Sequence, residues 1–264
     1  MKAARQANAA SRLRSMHDSL AAAYGPQYWW PAESAFEIIL GAYLTQNTAW
    51  KAVERSLANL RGAGVLTLDA LRAIALSDLQ ALIRPSGFHT RKAPALKAFV
   101  AMLDQEFSGS LESLAAAPTS ALRPRLLALP GVGPETADAI LLYALGLPVP
   151  VADEYLRRIA ERHHLLADRP GLKSYDALAD LTRRAFASDA QMTHARLFNE
   201  FHALTVAVGK THCGRTAQCT GCPLLEDLEI ALPTANGGER TPANSRQFDD
   251  RFDHSTSTLR KANE

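Results

Sequence analysis

The chain has 264 residues, of which 47% are hydrophobic and 21% are charged, a composition ordinary for a folded globular protein. Its formal net charge of +2 excludes a uniformly basic nucleic-acid binder, so any nucleic-acid site has to be a local patch. No uninterrupted apolar run reaches the about 18–20 residues that span a bilayer, and we expect no membrane association. Three cysteines are too few, and odd in number, for a disulfide framework.

The first segment, residues 1–19, is rich in arginine and poor in acidic residues up to Arg14. It lacks the apolar centre of a secretory signal. An organelle-targeting segment and a solvated basic arm are both open interpretations, and the run of charge favours the arm. We therefore predict a basic N-terminal arm over residues 1–19.

The hydrophobic pattern that follows is helical nearly throughout. Ser34 to Glu37 has the form of a capping box, and an apolar run begins at Ile38. Sustained period-two alternation is absent, so we predict an all-α protein with about ten or more helices. Residues 233–264 contain few apolar side chains, and we predict that this tail is disordered because it cannot bury enough surface to offset its ordering entropy.

The most informative segment is Leu129–Ala139, which reads Leu-Pro-Gly-Val-Gly-Pro-Glu-Thr-Ala-Asp-Ala. Gly131 and Gly133 predict a tight hairpin, and a second helix begins at Pro134, where the missing N–H of proline costs nothing. Two glycines leave the backbone N–H groups uncovered, so that a phosphate oxygen can approach them. Taken alone, the segment is equally typical of a helix–helix turn that uses glycine for shape.

The surroundings of the hairpin resemble a known family. Leu129–Ala139, then Asp153, then the cysteines at 213–222 follow the order and spacing of endonuclease III-like DNA glycosylases of the helix-hairpin-helix superfamily. Residues 36–50 and 83–93 also look like segments of that family. The resemblance covers most of the chain, and its motifs are specific in combination.

The resemblance implies two helical lobes with a DNA-binding cleft between them. One lobe is discontinuous, contains residues 20–40 plus 148–232, and carries the cysteine loop. The other lobe spans residues 41–147, with the helix-hairpin-helix motif at 124–144.

Catalysis in the family depends on an Asp that follows the hairpin, and Asp153 occupies that place here. Its carboxylate can stabilise positive charge on the sugar and orient the attacking water; it is also well placed to cap the next helix. Bifunctional members carry a lysine eighteen residues earlier, where this chain has Glu135. A carboxylate cannot form a Schiff base, so we expect a monofunctional glycosylase rather than a glycosylase/lyase.

Gln46 occupies the position at which the family fills the gap left by an extruded base. An amide suits this role because it both donates and accepts hydrogen bonds, and Asn47 lies beside it. Capping of the next helix is the alternative role for Gln46. The other residues expected to contact DNA are Gly131, Val132, Gly133, Thr136 and Lys210.

Trp29 and Trp30 are candidates for a base pocket, because aromatic rings stack on a flipped base and attract a cationic, alkylated one. Packing in the core is an equally weighted alternative. Residues 29–31 and 135–140 resemble the 3-methyladenine glycosylase branch, so Glu135 joins the expected pocket. Alkylated purine is the leading substrate, and pyrimidine lesions stay open.

The cysteines Cys213, Cys219 and Cys222 resemble the loop that holds a [4Fe–4S] cluster with four thiolates. The first spacing is one residue shorter than usual, and Leu228 stands where the fourth cysteine is expected. We expect a cluster, with zinc bound by three Cys and one His and a metal-free loop as alternatives. The candidates for a fourth ligand are His212, Asp227, Glu229 and solvent.

The expected partner is double-stranded DNA that contains a damaged base. We expect a cytoplasmic monomer that acts in base excision repair. Two rival functions stay open: a bifunctional glycosylase/lyase on oxidised pyrimidines, and a DNA-binding homologue without catalysis.

Overall fold

The computed structural model describes residues 2–166, 175–190 and 194–231. The predicted disordered tail, 233–264, lies outside the described residues. Within them the regular structure is helical, apart from an isolated β-bridge between Cys213 and Ala217. The all-α prediction is therefore confirmed.

The α-helices of the described residues are, in chain order, α1 (Lys2–Tyr24), α2 (Ala35–Leu44), α3 (Trp50–Gly62), α4 (Leu68–Ala73), α5 (Leu76–Leu82), α6 (His89–Phe107), α7 (Leu111–Ala116), α8 (Thr119–Leu127), α9 (Pro134–Ala139), α10 (Glu154–Arg162), α11 (Tyr175–Ala185), α12 (His194–Thr211) and α13 (Leu225–Ala231). A 3-10 turn occupies Arg84–Ser86, and α9 continues directly into a π-helical turn at Ile140–Ala144. None of the helices in the described part of the chain is long and apolar enough to cross a membrane.

Helix α1 corrects the prediction of a solvated arm over residues 1–19. Leu13, Met16 and Leu20 lie on one face of this helix and are buried in the core, because spacings of three and four place side chains on the same helix face. The arginines that suggested an arm include Arg12, which forms an ion pair with Asp227 of α13. The guanidinium of Arg12 is therefore paired within the fold and not simply solvated.

Helix α2 lies at the centre of the structure, and most of its side chains are buried. One half of the predicted capping box is present: the side chain of Ser34 accepts a hydrogen bond from the N–H of Glu37 at 3.1 Å. The side chain of Glu37 accepts from the N–H of Glu33, at 3.0 Å, and not from that of Ser34. Gly41 lies against Trp30, and a Cβ at Gly41 would come within 2.9 Å of the indole ring. Glycine at this position therefore lets a tryptophan ring pack directly on the helix backbone.

A buried ion pair joins the two helices of the hairpin motif. Arg123 of α8 donates from Nε and Nη2 to Asp138 of α9, at 2.7 and 3.1 Å, and the Asp138 side chain is fully buried. Arg123 also donates to Asp176 of α11 at 3.1 Å. The angle between the helices that flank the hairpin is therefore fixed by charge as well as by packing.

The buried apolar side chains form one continuous cluster that extends from α1 to the start of α13. Helix α1 packs on α11 and α12, and α2 packs on α3, α6 and the π-helical turn. The lobe boundaries expected at 41–147 and at 20–40 plus 148–232 stay a prediction.

Asp138→Asn is expected to lower the free energy of unfolding by about 3 kcal/mol, because breaking a buried ion pair leaves a charge without its partner. Asp176→Asn is the matched control: its side chain is 73% exposed, so its loss should cost less than about 1 kcal/mol. Urea denaturation measures both values. Equal effects from the two variants would show that the Arg123–Asp138 pair does not hold the hairpin helices.

Candidate functional site

The hairpin between α8 and α9 presents open backbone groups. Gly131 has φ = +74°, a conformation that glycine adopts without strain. The N–H of Val132 donates to the carbonyl of Leu129 at 3.2 Å, and the Val132 side chain is buried. Within the described part of the chain, no protein acceptor takes the N–H of Gly131 or of Gly133. A Cβ at Gly133 would meet no protein atom within 4 Å, so internal packing does not explain that glycine.

Gln46 lies beside this hairpin. Its side-chain amide donates to the carbonyl of Gly131 and to the hydroxyl of Thr136, both at 2.9 Å. The alternative role as a helix cap is not seen, because α3 begins after Ala49 without a side-chain cap. Neighbouring Asn47 is exposed and has φ = +50°. The loop between α2 and α3 is therefore held against the hairpin by Gln46.

Asp153 is a buried carboxylate at the start of α10. Its Oδ1 accepts a hydrogen bond from the N–H of Leu156 at 2.9 Å, which makes it the N-cap. Its Oδ2 lies 3.5 Å from Nε2 of His202, and the other ring nitrogen of His202 is hydrogen-bonded to the hydroxyl of Tyr143. Burial, followed by the negative charge of Asp153, raises the pKa of Tyr143 well above its usual value. A protonated phenol can donate to Nδ1, which leaves the proton of a neutral imidazole on Nε2, facing Asp153.

Glu135 lies in the first turn of α9 and is exposed to solvent. The protein that crowds around it, and then the carboxylate of Asp153, raise the pKa of Glu135 to about 7. The raised pKa indicates that Glu135 lies close enough to Asp153 for the two carboxylates to repel each other. The site thus pairs two acidic groups, Asp153 and Glu135.

An aromatic cluster adjoins these groups. The rings of Trp29, Trp30 and Trp50 lie 5.3 Å apart in each pair, and Trp30 contacts Tyr143 at 5.4 Å. The three tryptophans are half-buried and pack against the core. Trp29 and Trp30 therefore pack against the core while remaining partly accessible, and their role in a base pocket stays a prediction.

Several residues of this region were not predicted as site residues from the sequence. Trp50, Tyr143 and His202 join the site only through tertiary packing. Phe88 is 56% exposed, and the exposure of one aromatic residue cannot be read from a local pattern. Lys92 is buried, where a lysine is uncommon.

The cysteine loop is held by arginine side chains. Arg162 donates to Sγ of Cys213 at 2.9 Å and to the carbonyl of Arg215 at 2.8 Å, and Arg158 donates to the carbonyl of Cys213 at 3.2 Å. Cys213 is buried, Cys219 is exposed and Cys222 is half-buried. Lys210, at the end of α12, is exposed beside this loop.

Two of the candidate fourth ligands make protein contacts, which engage the carboxylate of Asp227 but only one ring nitrogen of His212. Nδ1 of His212 is hydrogen-bonded to the carbonyl of Gln218 at 2.9 Å. Asp227 accepts from Arg12 at 2.9 and 2.7 Å and contacts His163 at 2.8 Å. Burial alone would raise the pKa of Asp227, but the bonds from His163 and Arg12 outweigh it and hold the pKa below its usual range.

The residues present do not fit a four-thiolate cluster. Leu228 occupies the fourth position, the side chain of Glu229 lies outside the described residues, and an arginine already binds the Cys213 sulfur. In residues 2–166, 175–190 and 194–231, no group of three or more His, Cys, Asp or Glu is arranged to hold a metal ion.

Comparisons with known proteins agree with the fold and the hairpin. The family described as "HhH-GPD superfamily base excision DNA repair protein" matches residues 40–184. The chain is 37% identical over 205 residues to a provisionally named DNA repair glycosylase of Methanocaldococcus jannaschii, a match that covers 77% of this chain and 89% of that protein.

Solved structures show the same architecture. The H. pylori 3-methyladenine DNA glycosylase MagIII bound to 1,N6-ethenoadenine has a TM-score of 0.65 and 30% identity, over 77% of this chain and 97% of that one. Endonuclease III, trapped in a covalent intermediate with DNA, has a TM-score of 0.66 over 84% of this chain and 97% of that one. At 21% identity, this second likeness concerns the fold.

The family match spans more than half of the chain and includes the second half of α2, the hairpin and Asp153. The chain therefore belongs to the HhH-GPD superfamily of base excision DNA repair proteins, as an endonuclease III-like DNA glycosylase.

Proposed function

We propose that this glycosylase is monofunctional and hydrolyses the N-glycosidic bond of an extruded base, with Asp153 as its catalytic residue. One observation carries the proposal: at position 135, where a lyase needs an amine, this chain has a carboxyl group whose pKa is raised by burial and then by the negative charge of Asp153. Asp153 is fixed from two sides, by the N–H of Leu156 and by His202. A fixed negative charge is what an oxocarbenium-like sugar requires.

The reaction needs few groups. When the bond breaks, its electron pair leaves with the base and positive charge develops on the sugar. Asp153 stabilises that charge, and water adds to the anomeric carbon and gives up a proton to a carboxylate. Glu135, whose pKa is about 7, is partly protonated at neutral pH and can donate a hydrogen bond to the departing base.

Double-stranded DNA would contact the hairpin and the loop of Gln46. The N–H groups of Gly131 and Gly133, together with the positive end of α9, suit a phosphate oxygen. Thr136 is buried and contacts Gln46 beneath this surface, and exposed Lys210 can meet phosphate beside the cysteine loop. Gln46 and Asn47 would fill the gap left by the base.

The substrate class that we propose is an alkylated purine. The aromatic cluster of Trp29, Trp30 and Trp50 can stack on a large base, and a cationic base would also be attracted to the ring faces. The similar H. pylori enzyme is named as a 3-methyladenine glycosylase and is bound to an ethenoadenine. Oxidised pyrimidines are the alternative substrate.

We infer that the cysteine loop keeps its shape without a [4Fe–4S] cluster. Arg162 binds the loop at Cys213, and Arg12 holds the following helix α13 through Asp227. These charge-assisted bonds supply the cross-links that four thiolates would otherwise provide.

Asp153→Asn should lower the single-turnover rate of base release at least about a hundredfold, since the charge is lost while asparagine still caps α10. Glu154→Gln, which alters an exposed neighbouring carboxylate, is the matched control and should act like wild type. The panel is duplex DNA containing 7-methylguanine, 1,N6-ethenoadenine or thymine glycol. Release of thymine glycol alone would favour the pyrimidine alternative, and no release from any duplex would favour a non-catalytic homologue.

Borohydride reduction of a mixture with abasic-site DNA should trap no covalent complex with wild type, because no amine lies at position 135. Glu135→Lys should produce a trapped complex on denaturing gels, since it places an amine opposite Asp153. If wild type is trapped and Glu135→Gln is trapped equally, a lysine elsewhere in the chain acts as the nucleophile. The monofunctional assignment would then be wrong.

Anaerobically purified protein should contain far less iron and sulfide than one cluster per chain and lack the broad absorbance near about 400 nm that clusters show. A four-cysteine endonuclease III purified in parallel is the control for cluster loss. Stoichiometric iron together with that absorbance would contradict the arginine-held loop.

A further inference from the structure

Lys92 is a buried lysine on α6, only 4% exposed. Its ammonium group donates to the carbonyl of Leu44 at 2.7 Å, to the hydroxyl of Thr48 at 2.8 Å and to the carbonyl of Ser86 at 2.9 Å. An ammonium has three N–H donors and no acceptor, so these three oxygens satisfy it completely. Burial lowers the pKa of Lys92 to about 8, and the ammonium form still predominates at pH 7.

The three acceptors belong to two different loops. Leu44 ends α2 and Thr48 lies in the loop between α2 and α3, whereas Ser86 ends the 3-10 turn that precedes α6. Thr48 strengthens the link, because its hydroxyl lies 2.7 Å from the carbonyl of Ser86 and 3.0 Å from the carbonyl of Gln46. A single buried charge thus cross-links two surface loops that are about forty residues apart in the chain.

Both loops carry unusual exposed residues at their tips. Asn47 on the first loop has φ = +50°, and Phe88 on the second has φ = +47° and is 56% exposed. A left-handed backbone in residues other than glycine persists only where the surroundings hold it. Nζ of Lys92 lies 6.0 Å from the centroid of the Phe88 ring. The charge is therefore at the base of this second loop as well.

We propose that Lys92 is a positioning residue that fixes the loop of Gln46 and Asn47 and the loop of Phe88 as one rigid unit, which enters the duplex together when a base is extruded. The proposal rests on the proposed DNA contact of Gln46. Insertion between bases requires unstacking of the duplex. Loops ordered during folding do not lose further conformational entropy at that step, whereas loose loops do.

The chain offers a matched control on the same helix. Lys97 of α6 also donates to three backbone carbonyls, those of Leu71, Arg72 and Ile74, at 2.7, 3.0 and 2.5 Å. Those carbonyls lie at the end of α4, and none belongs to the loops of Gln46 or Phe88. Lys92→Met and Lys97→Met therefore remove the same kind of lysine anchor at two different places.

The experiment uses the full chain and a duplex with a tetrahydrofuran abasic analogue opposite 2-aminopurine, whose fluorescence reports unstacking of the orphaned base. Affinity for this duplex is compared with affinity for the intact duplex of the same sequence. Wild type, Lys92→Met, Thr48→Val and Lys97→Met are measured together, and thermal unfolding shows which of them are folded. Thr48→Val preserves side-chain shape, so it decides the question if Lys92→Met does not fold.

Lys92→Met should lower the preference for abasic over intact DNA about tenfold, since hydrogen bonds of a charged group are lost at the loops, and should reduce the fluorescence change. Thr48→Val should show a smaller loss in the same direction, and Lys97→Met should keep the wild-type preference. The proposal is overturned if folded Lys92→Met or folded Thr48→Val keeps both the wild-type preference for abasic DNA and the wild-type fluorescence change. If wild type itself shows no preference for abasic DNA, the proposed DNA contact fails, and the role of Lys92 fails with it.

Discussion

The hydrogen bond from the N–H of Leu156 to the carboxylate of Asp153 is the contact on which the candidate site depends. It uses one side chain both to begin α10 and to hold a negative charge at the site. Because the cap fixes one oxygen, the second oxygen has a defined direction, toward His202. A charge that cannot turn away is better suited to stabilise a transient cation than one on a freely rotating side chain.

Other contacts connect this centre with the surface that would meet DNA. The π-helical turn that extends α9 carries Tyr143, whose ring touches Trp30 and whose hydroxyl reaches His202. The Arg123–Asp138 pair holds α8 and α9 at the hairpin. Tyr143 and the hairpin are thus joined by one continuous helical segment, so their spacing does not rely on a flexible connection.

Much of the fold and part of the site could be predicted from the sequence. The capping box at Ser34 and the helical period predict the α-helices, because both signals are local. The hairpin is equally local, since glycine and proline act through backbone geometry. The burial of α1 was missed because its arginines suggested a solvated arm, whereas Arg12 has its partner, Asp227, more than two hundred residues away. Trp50 and Tyr143 were missed for the same reason: packing between distant segments determines their place.

The contact of Gln46 with the hairpin has a thermodynamic consequence for damage search. Both N–H groups of its amide are already satisfied, by Gly131 and Thr136. In the proposed role of Gln46, transfer of the side chain to an unpaired nucleobase would exchange one set of hydrogen bonds for another, and such exchanges yield little net free energy. In that role the amide would contribute little free energy to the extrusion of a normal base, so discrimination would depend on the stability of the lesion in its stack and on the aromatic cluster that receives it.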